Sequence, residues 1–321
     1  MTDLGNRSWW SYLINIRYIL VLVVLAGCLV LSNLTRAAAP GGTKFIGTTW
    51  SGFTSPLFGT LFNQITPENA GKWGNVEPQK GVFLWHQLDA MYALAKRRHL
   101  IVKQHNMIWG QNQPHWITDR NAAAAVRTWF AAFARRYGTR TALMDVVNEP
   151  LQSPPAYRAG LPGGNTKWGW VIWCYRLARQ YFPHTKLLIN DYDILDSTKN
   201  TLRYARLIAL LQKRGLIDGI GCQAHGLEHV QSPVIRKNLA ILSRLHVPIY
   251  ISEYDLNQKS DSGQLAQMKR QFPIFWKDPH VAGVTFWDFK QGHTWKRFTW
   301  LVHRNGKPRP AMVWLRHYLR R

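Results

Sequence analysis

The chain has 321 residues, 46% of them hydrophobic and 16 of them Trp, which excludes a disordered polymer and supplies a large apolar core. Its 41 Lys and Arg outnumber 17 Asp and Glu, giving a net charge of +24. The positive residues are dispersed along helical stretches (Lys96-Arg97-Arg98, Arg135-Arg136, Arg203/Arg206, Lys213-Arg214) with no dominant basic run, so they read as a solvated shell, with attraction to an acidic polymer a lesser reading and no nucleic-acid partner expected.

In chain order, the first element is a targeting segment. Arg7 and Arg17 precede an apolar stretch from Tyr18 to Ser32, and Ala37-Ala38-Ala39 follow before Pro40. Such a stretch is shorter than the roughly 20 residues a full membrane span needs, and it fits a secretory signal better. An uncleaved membrane anchor through residues 18–32 and lipidation at Cys28, within Leu25-Ala26-Gly27-Cys28, are the other two readings. All three export the protein, so the expected location is secreted, periplasmic or membrane-anchored. The expected division is residues 1–42 as signal or anchor with a short linker, and 43–321 as one catalytic domain.

Strand-like and helix-like segments then alternate. KFIGTTW (44–50) predicts a strand and Pro56–Phe62 a short helix; NQITPEN supplies the second strand end and residues 85–98 an amphipathic helix. Residues 100–109 predict the third strand, and 121–138 a helix closed by Gly138. TALMDVVN, KLLIND, GIGCQAH, PIYISEYD and GVTFWDF predict strands four to eight, each with a helical pattern after it. Eight such units match a (β/α)8 TIM barrel in count and size. Cys174 and Cys222, the cysteines beyond the leader, fall in an apolar helix and a strand and read as two buried thiols. The 12 His include no HExxH, and no metal or cofactor is expected.

Carboxylates are scarce, so their positions are informative. Only five glutamates occur, and Glu149 (MDVVNEP) and Glu253 (YISEYDL) each end a β-branched apolar run. Glu68, Asp191, Asp193, Asp255 and Asp288 also lie at or just past predicted strand ends. In a barrel of this kind those ends form the mouth that carries the chemistry. A carboxylate pair presented there suits acid/base and nucleophilic work at an acetal carbon. Glu253 and Asp255 are two apart in one strand and share a side, and His225, just after strand six, is placed to bridge them and orient Glu253. Strand alternation from Asn148 and Glu149 turns Asp145 away from the chemistry of the mouth, so it reads as structural.

These residues, in this order, resemble glycoside hydrolase family 10, the retaining endo-β-1,4-xylanases, from about Phe45 to the C-terminus. The resemblance rests on TPENAGKW (66–73), QHNMIW (104–109), DVVNEP (145–150), INDYD (189–193), DGIGCQAH (218–225), ISEYDL (251–256), FWD (286–288) and RNGKPRPA (304–311). It implies Glu149 as acid/base and Glu253 as nucleophile, with carboxyls about 5–5.5 Å apart as in retaining enzymes. It further implies that Asn148 binds the sugar 2-hydroxyl, and that Glu68, Asn69 and Lys72 bind sugars on the non-reducing side. His105, Trp109, Gln223, Trp287 and Trp295 would line the subsite where the bond breaks, supported by His225 and Asp255. The implied partner is xylan or a related β-linked polysaccharide, acted on by a monomer.

Several positions depart from the family pattern. Gly110 replaces a usual histidine, Asn112 a usual glutamine and Gln291 a usual aspartate; Asp288 stands where glycine is common, and the segment after Glu149 is atypical. Gly110 and Asn112 fall where the family grips the sugar beyond the cleavage site, so they are expected to alter which sugar enters. With the charge of +24, this keeps open a same-mechanism glycanase for an acidic polymer or exopolysaccharide, and behind it a non-catalytic carbohydrate-binding barrel.

Overall fold

β-Branched and aromatic runs form eight strands: β1 Phe45–Trp50, β2 Gln64–Pro67, β3 Ile101–Gln104, β4 Leu143–Asn148, β5 Lys186–Asp191, β6 Gly219–Cys222, β7 Ile249–Tyr254 and β8 Val281–Phe286. In the computed structural model, which describes residues 44–320, they pair in parallel in that order, and β8 returns to β1 to close a barrel. The leader, including residues 18–32 and Cys28, lies outside the described residues. Among the described residues, α-helices α1 Trp73–Val76, α2 His86–Arg98, α3 Ala122–Tyr137, α4 Gly169–Tyr181, α5 Thr198–Gln212, α6 Ser232–Ser243, α7 Asp261–Lys277 and α8 Pro310–Leu319 accompany the strands. This is the expected (β/α)8 barrel. Nearly every strand residue is buried, because helices cover the outside and side chains fill the inside.

Two predicted elements differ. Residues 56–62 form turns rather than a helix: Phe58 N donates to Ser55 O, Phe62 N to Leu57 O, and Gly59 N to Phe62 O. Phe53, Phe58 and Phe62 pack against Phe289 at ring-centroid distances of 5.3, 6.0 and 4.9 Å, and this clustering outweighs local helix propensity. β3 stops at Gln104 instead of running to Trp109. Beyond it, Met107 N donates to Asp145 O and Ile108 N to Val146 O, which carries His105 and Trp109 along the top of β4.

The barrel interior changes from apolar to polar along the strands. Near the strand starts, Phe45, Leu143, Leu188 and Tyr250 form a separate apolar plug, with Phe45 and Tyr250 stacked at 5.8 Å. Gly283 admits it: a β-carbon there would lie 2.4 Å from the Phe45 ring. Higher up, Thr285 Oγ1 donates to Gln64 Oε1, and Gln64 Nε2 to Thr66 Oγ1.

Lys103 and Asp145, both buried, form an ion pair at 2.8 Å, and His105 Nδ1 lies 2.9 Å from the same carboxylate oxygen. Asp145 therefore faces the interior below the mouth, contrary to the alternation argument. The cause is an irregularity in the β4–β5 pairing between Asp145 and Val147, which resets the in–out parity before Asn148. Removing one partner of a buried pair strands the other's charge. Lys103→Ala is expected to cost about 3–5 kcal/mol of stability, read from urea denaturation midpoints.

Candidate active site

Glu149 sits one residue beyond β4 at φ 55°, its amide donating to Asn190 O at 2.7 Å. Its Oε2 accepts from Trp109 Nε1 at 2.6 Å and Gln111 Nε2 at 3.3 Å. Its Oε1 accepts from Gln223 Nε2 at 2.9 Å and Asn148 Nδ2 at 3.3 Å. All four side-chain donors are neutral. Burial, reinforced by the negative charge of Glu253, outweighs them and pushes the Glu149 carboxyl above its ordinary range.

Glu253 is treated differently. Its Oε1 accepts from Asn190 Nδ2 at 2.6 Å, and Oε2 lies 3.0 Å from His225 Nε2. His225 Nδ1 lies 2.9 Å from Asp255 Oδ2, so one imidazole spans the two acids. Burial lowers the affinity of His225 for its proton, but Asp255 and Glu253 more than offset this and raise its pKa to about 9. Burial also works against an ionised Glu253. The charges of His105, His225 and Lys103, with the hydrogen bond from His225, overcome it and hold the carboxyl at about 2. The cleft thus biases its two glutamates in opposite directions, Glu149 toward holding its proton and Glu253 toward losing it.

The remaining residues singled out from the sequence line the same cleft. Trp287 is buried, with its ring edge-on to His105 at 5.1 Å and to His225 at 6.2 Å. Trp295 is 46% exposed; it donates from Nε1 to Asp255 Oδ2 at 3.1 Å and lies 4.5 Å from the His225 ring. Lys72 Nζ sits 4.8 Å from the Trp109 ring centroid and donates to Asn69 Oδ1 at 2.8 Å. Burial lowers the Lys72 pKa despite the carboxylates of Glu253, Glu68, Glu149 and Asp288 nearby. Glu68 is raised by burial, against the pull of Lys72.

Sequence reasoning passed over Asn190 and Gln111. Asn190 Nδ2 donates to both Asn148 Oδ1 (2.8 Å) and Glu253 Oε1 (2.6 Å), so it joins the surroundings of the two glutamates. Its position inside INDYD at a strand end was the available signal. Gln111 Nε2 links Glu149 Oε2 to Ser153 Oγ, and nothing in its spacing marks it. Gly110, expected to alter which sugar enters, lies directly against the segment that follows Glu149. A β-carbon there would lie 2.5 Å from Ser153 O and Pro154 O, and Gly110 N donates to Ser153 O at 3.1 Å. The space is taken by the segment following Glu149, which is tied further along by Ala156 N to Gln113 Oε1 and Gly160 N to Asp119 Oδ1. Asn112 Nδ2 reaches Asn75 Oδ1 on α1 at 3.1 Å.

A parallel eight-stranded barrel that offers two glutamates of oppositely shifted pKa at the ends of its fourth and seventh strands has the architecture of a glycoside hydrolase. Residues 42–318 match the family model described as glycosyl hydrolase family 10, and the chain belongs to that family. It is 38% identical over 282 residues to endo-1,4-beta-xylanase B of Cellvibrio japonicus, covering 85% of this chain and 45% of that protein, so it spans about half of that relative's length. To an endo-1,4-beta-xylanase of Agaricus bisporus it is 28% identical over 283 residues, covering 82% and 85%. Native xylanase 10B of Thermotoga maritima superposes with a TM-score of 0.75 at 22% identity, covering 86% of this chain and 95% of that one, a likeness of fold.

Because backbone rather than a flexible side chain occupies the space beside Gly110, even one methyl group there must displace the segment. Gly110→Ala is expected to cost about 1–3 kcal/mol, seen as a lowered thermal midpoint beside the parent protein.

Proposed function

We propose that the protein is a retaining endo-β-1,4-glycanase acting on xylan by double displacement. The observation that carries this reading is the opposite bias of two glutamates facing one cleft, with the Glu253 carboxyl held at about 2 and the Glu149 carboxyl pushed above its ordinary range. A carboxylate oxygen of Glu253 bonds to the anomeric carbon as the glycosidic C–O bond breaks, and Glu149 gives its proton to the leaving oxygen. Once Glu253 is esterified its negative charge is gone, which removes one of the causes that raise Glu149. Glu149 then takes a proton from water, whose oxygen bonds to the same carbon and releases Glu253. Asn148 and Gln223, both within hydrogen-bonding reach of the acid/base, are the groups assigned to the sugar hydroxyls there. Trp109, Trp287 and Trp295 offer apolar faces to the pyranose rings.

The names of the relatives support xylan as the polymer. The basic flank and apolar stretch of residues 18–32 support export, with the domain either released or kept at the membrane. The net charge of +24 favours a second reading, in which the β-linked chain carries acidic branches.

Glu253→Ala is expected to lower turnover of an aryl xylobioside by at least about 10⁴-fold with folding intact. Parent-like turnover would remove the assignment. Assays on neutral xylan, glucuronoxylan and an acidic exopolysaccharide decide between the polymers. The pH profile supplies an independent check. His225 contributes a hydrogen bond and a charge that lower the Glu253 pKa, so His225→Gln raises that pKa. The acid limb of kcat/KM is expected to move to higher pH by about one unit or more.

A further inference from the structure

The segment between β8 and α8 brings Trp295 against His225, and it is held at both ends. At the far end, Arg309 Nη1 donates to Phe298 O and Trp300 O at 3.1 and 3.2 Å, and Gln264 Nε2 reaches the same carbonyls. At the near end stands Asp288, which the chemistry above leaves without a task. It is 3% exposed and adopts φ 76°, a backbone conformation that an L side chain occupies only at a cost. Its Oδ1 accepts from Thr49 Oγ1 at 2.9 Å, its Oδ2 accepts from Trp295 N at 2.7 Å, and its own amide donates to Thr49 Oγ1 at 3.0 Å.

We propose that Asp288 is a positioning residue for the reaction: it fastens the Trp295 backbone to β1, so that the Trp295 indole stays on Asp255 and keeps the Asp255–His225–Glu253 chain aligned. The proposal rests on the reading of this cleft as a glycan-cleaving site. Its links are continuous. Trp295 is gripped at the backbone by Asp288 and at Nε1 by Asp255 Oδ2, the same oxygen that faces His225 Nδ1. Burial and the charge of Glu68 push the Asp288 carboxyl up to about 7, against the hydrogen bonds from Trp295 and Thr49. Glycine would meet the φ requirement without that cost, so what the carboxylate adds is the pair of acceptors.

Asp288→Gly frees Trp295 N while suiting the backbone. In the full-length protein, hydrogen–deuterium exchange at the Trp295 amide is expected to quicken at least about tenfold in this variant. On an aryl xylobioside, kcat/KM is expected to fall about tenfold, but less than about twofold when Trp295→Ala is already present, because the second change then has nothing left to release. Asp288→Asn retains an acceptor for Trp295 N and is expected to stay within about threefold of the parent. Unchanged exchange, equal losses in both backgrounds, or an asparagine variant as impaired as the glycine variant would each overturn the proposal. If the parent protein cleaves no β-linked glycan, the functional reading fails, and the exchange measurement still judges the anchor by itself.

Discussion

Two carboxyl groups of the same chemical type share one buried cleft, and the site depends on their being solvated by different kinds of donor. Glu149 faces neutral donors, the N–H groups of an indole and three amides together with the Ser153 hydroxyl. These do not compensate for the loss of water, so the carboxyl's affinity for its proton rises. Glu253 faces the His225 imidazolium directly, with His105 and Lys103 behind it. A cationic donor stabilises the anion far more than a neutral one at similar distance, since its field persists where water is excluded. The division of labour between the glutamates thus lies in their neighbours.

That arrangement makes the upper barrel polar, and the polarity has to be satisfied internally. Asn190, Asn148, Gln223 and Ser252 exchange hydrogen bonds across β4, β5, β6 and β7, while Lys103 and Asp145 neutralise each other beneath them. A connected network of this kind fixes side-chain geometry. The apolar plug at the other end of the barrel supplies burial that the polar layers do not. Stability and chemistry are thereby segregated along the barrel axis.

Much of this was legible in the sequence, and what was not has physical reasons. Short apolar runs alternate with helical patterns, so the eight units and the strand-end glutamates followed from residues alone. Asp145 was misdirected because strict alternation assumes a regular strand, and β4 is irregular between Asp145 and Val147. β7 is irregular between Ile251 and Tyr254, where the neighbours Ser252 and Glu253 both donate to or accept from Asn190. The helix expected at 56–62 gave way to aromatic clustering with Phe289, a partner some 230 positions distant and invisible to a local window. Asn190 lay inside a motif already noticed, but only the closed barrel brings it between the two glutamates.

Gly110 and the segment after Glu149 looked like separate peculiarities of this chain. The close approach of Ser153 and Pro154 to Gly110 makes them one interlocking feature, a backbone key in a glycine-shaped lock. A chimaera that grafted residues 151–160 onto another barrel of the family would need the glycine to travel with them. Restoring a side chain at 110 would in turn require a different path for that segment. The two changes are expected to behave as a coupled pair, with an intermediate carrying either alone being less fit than both end states.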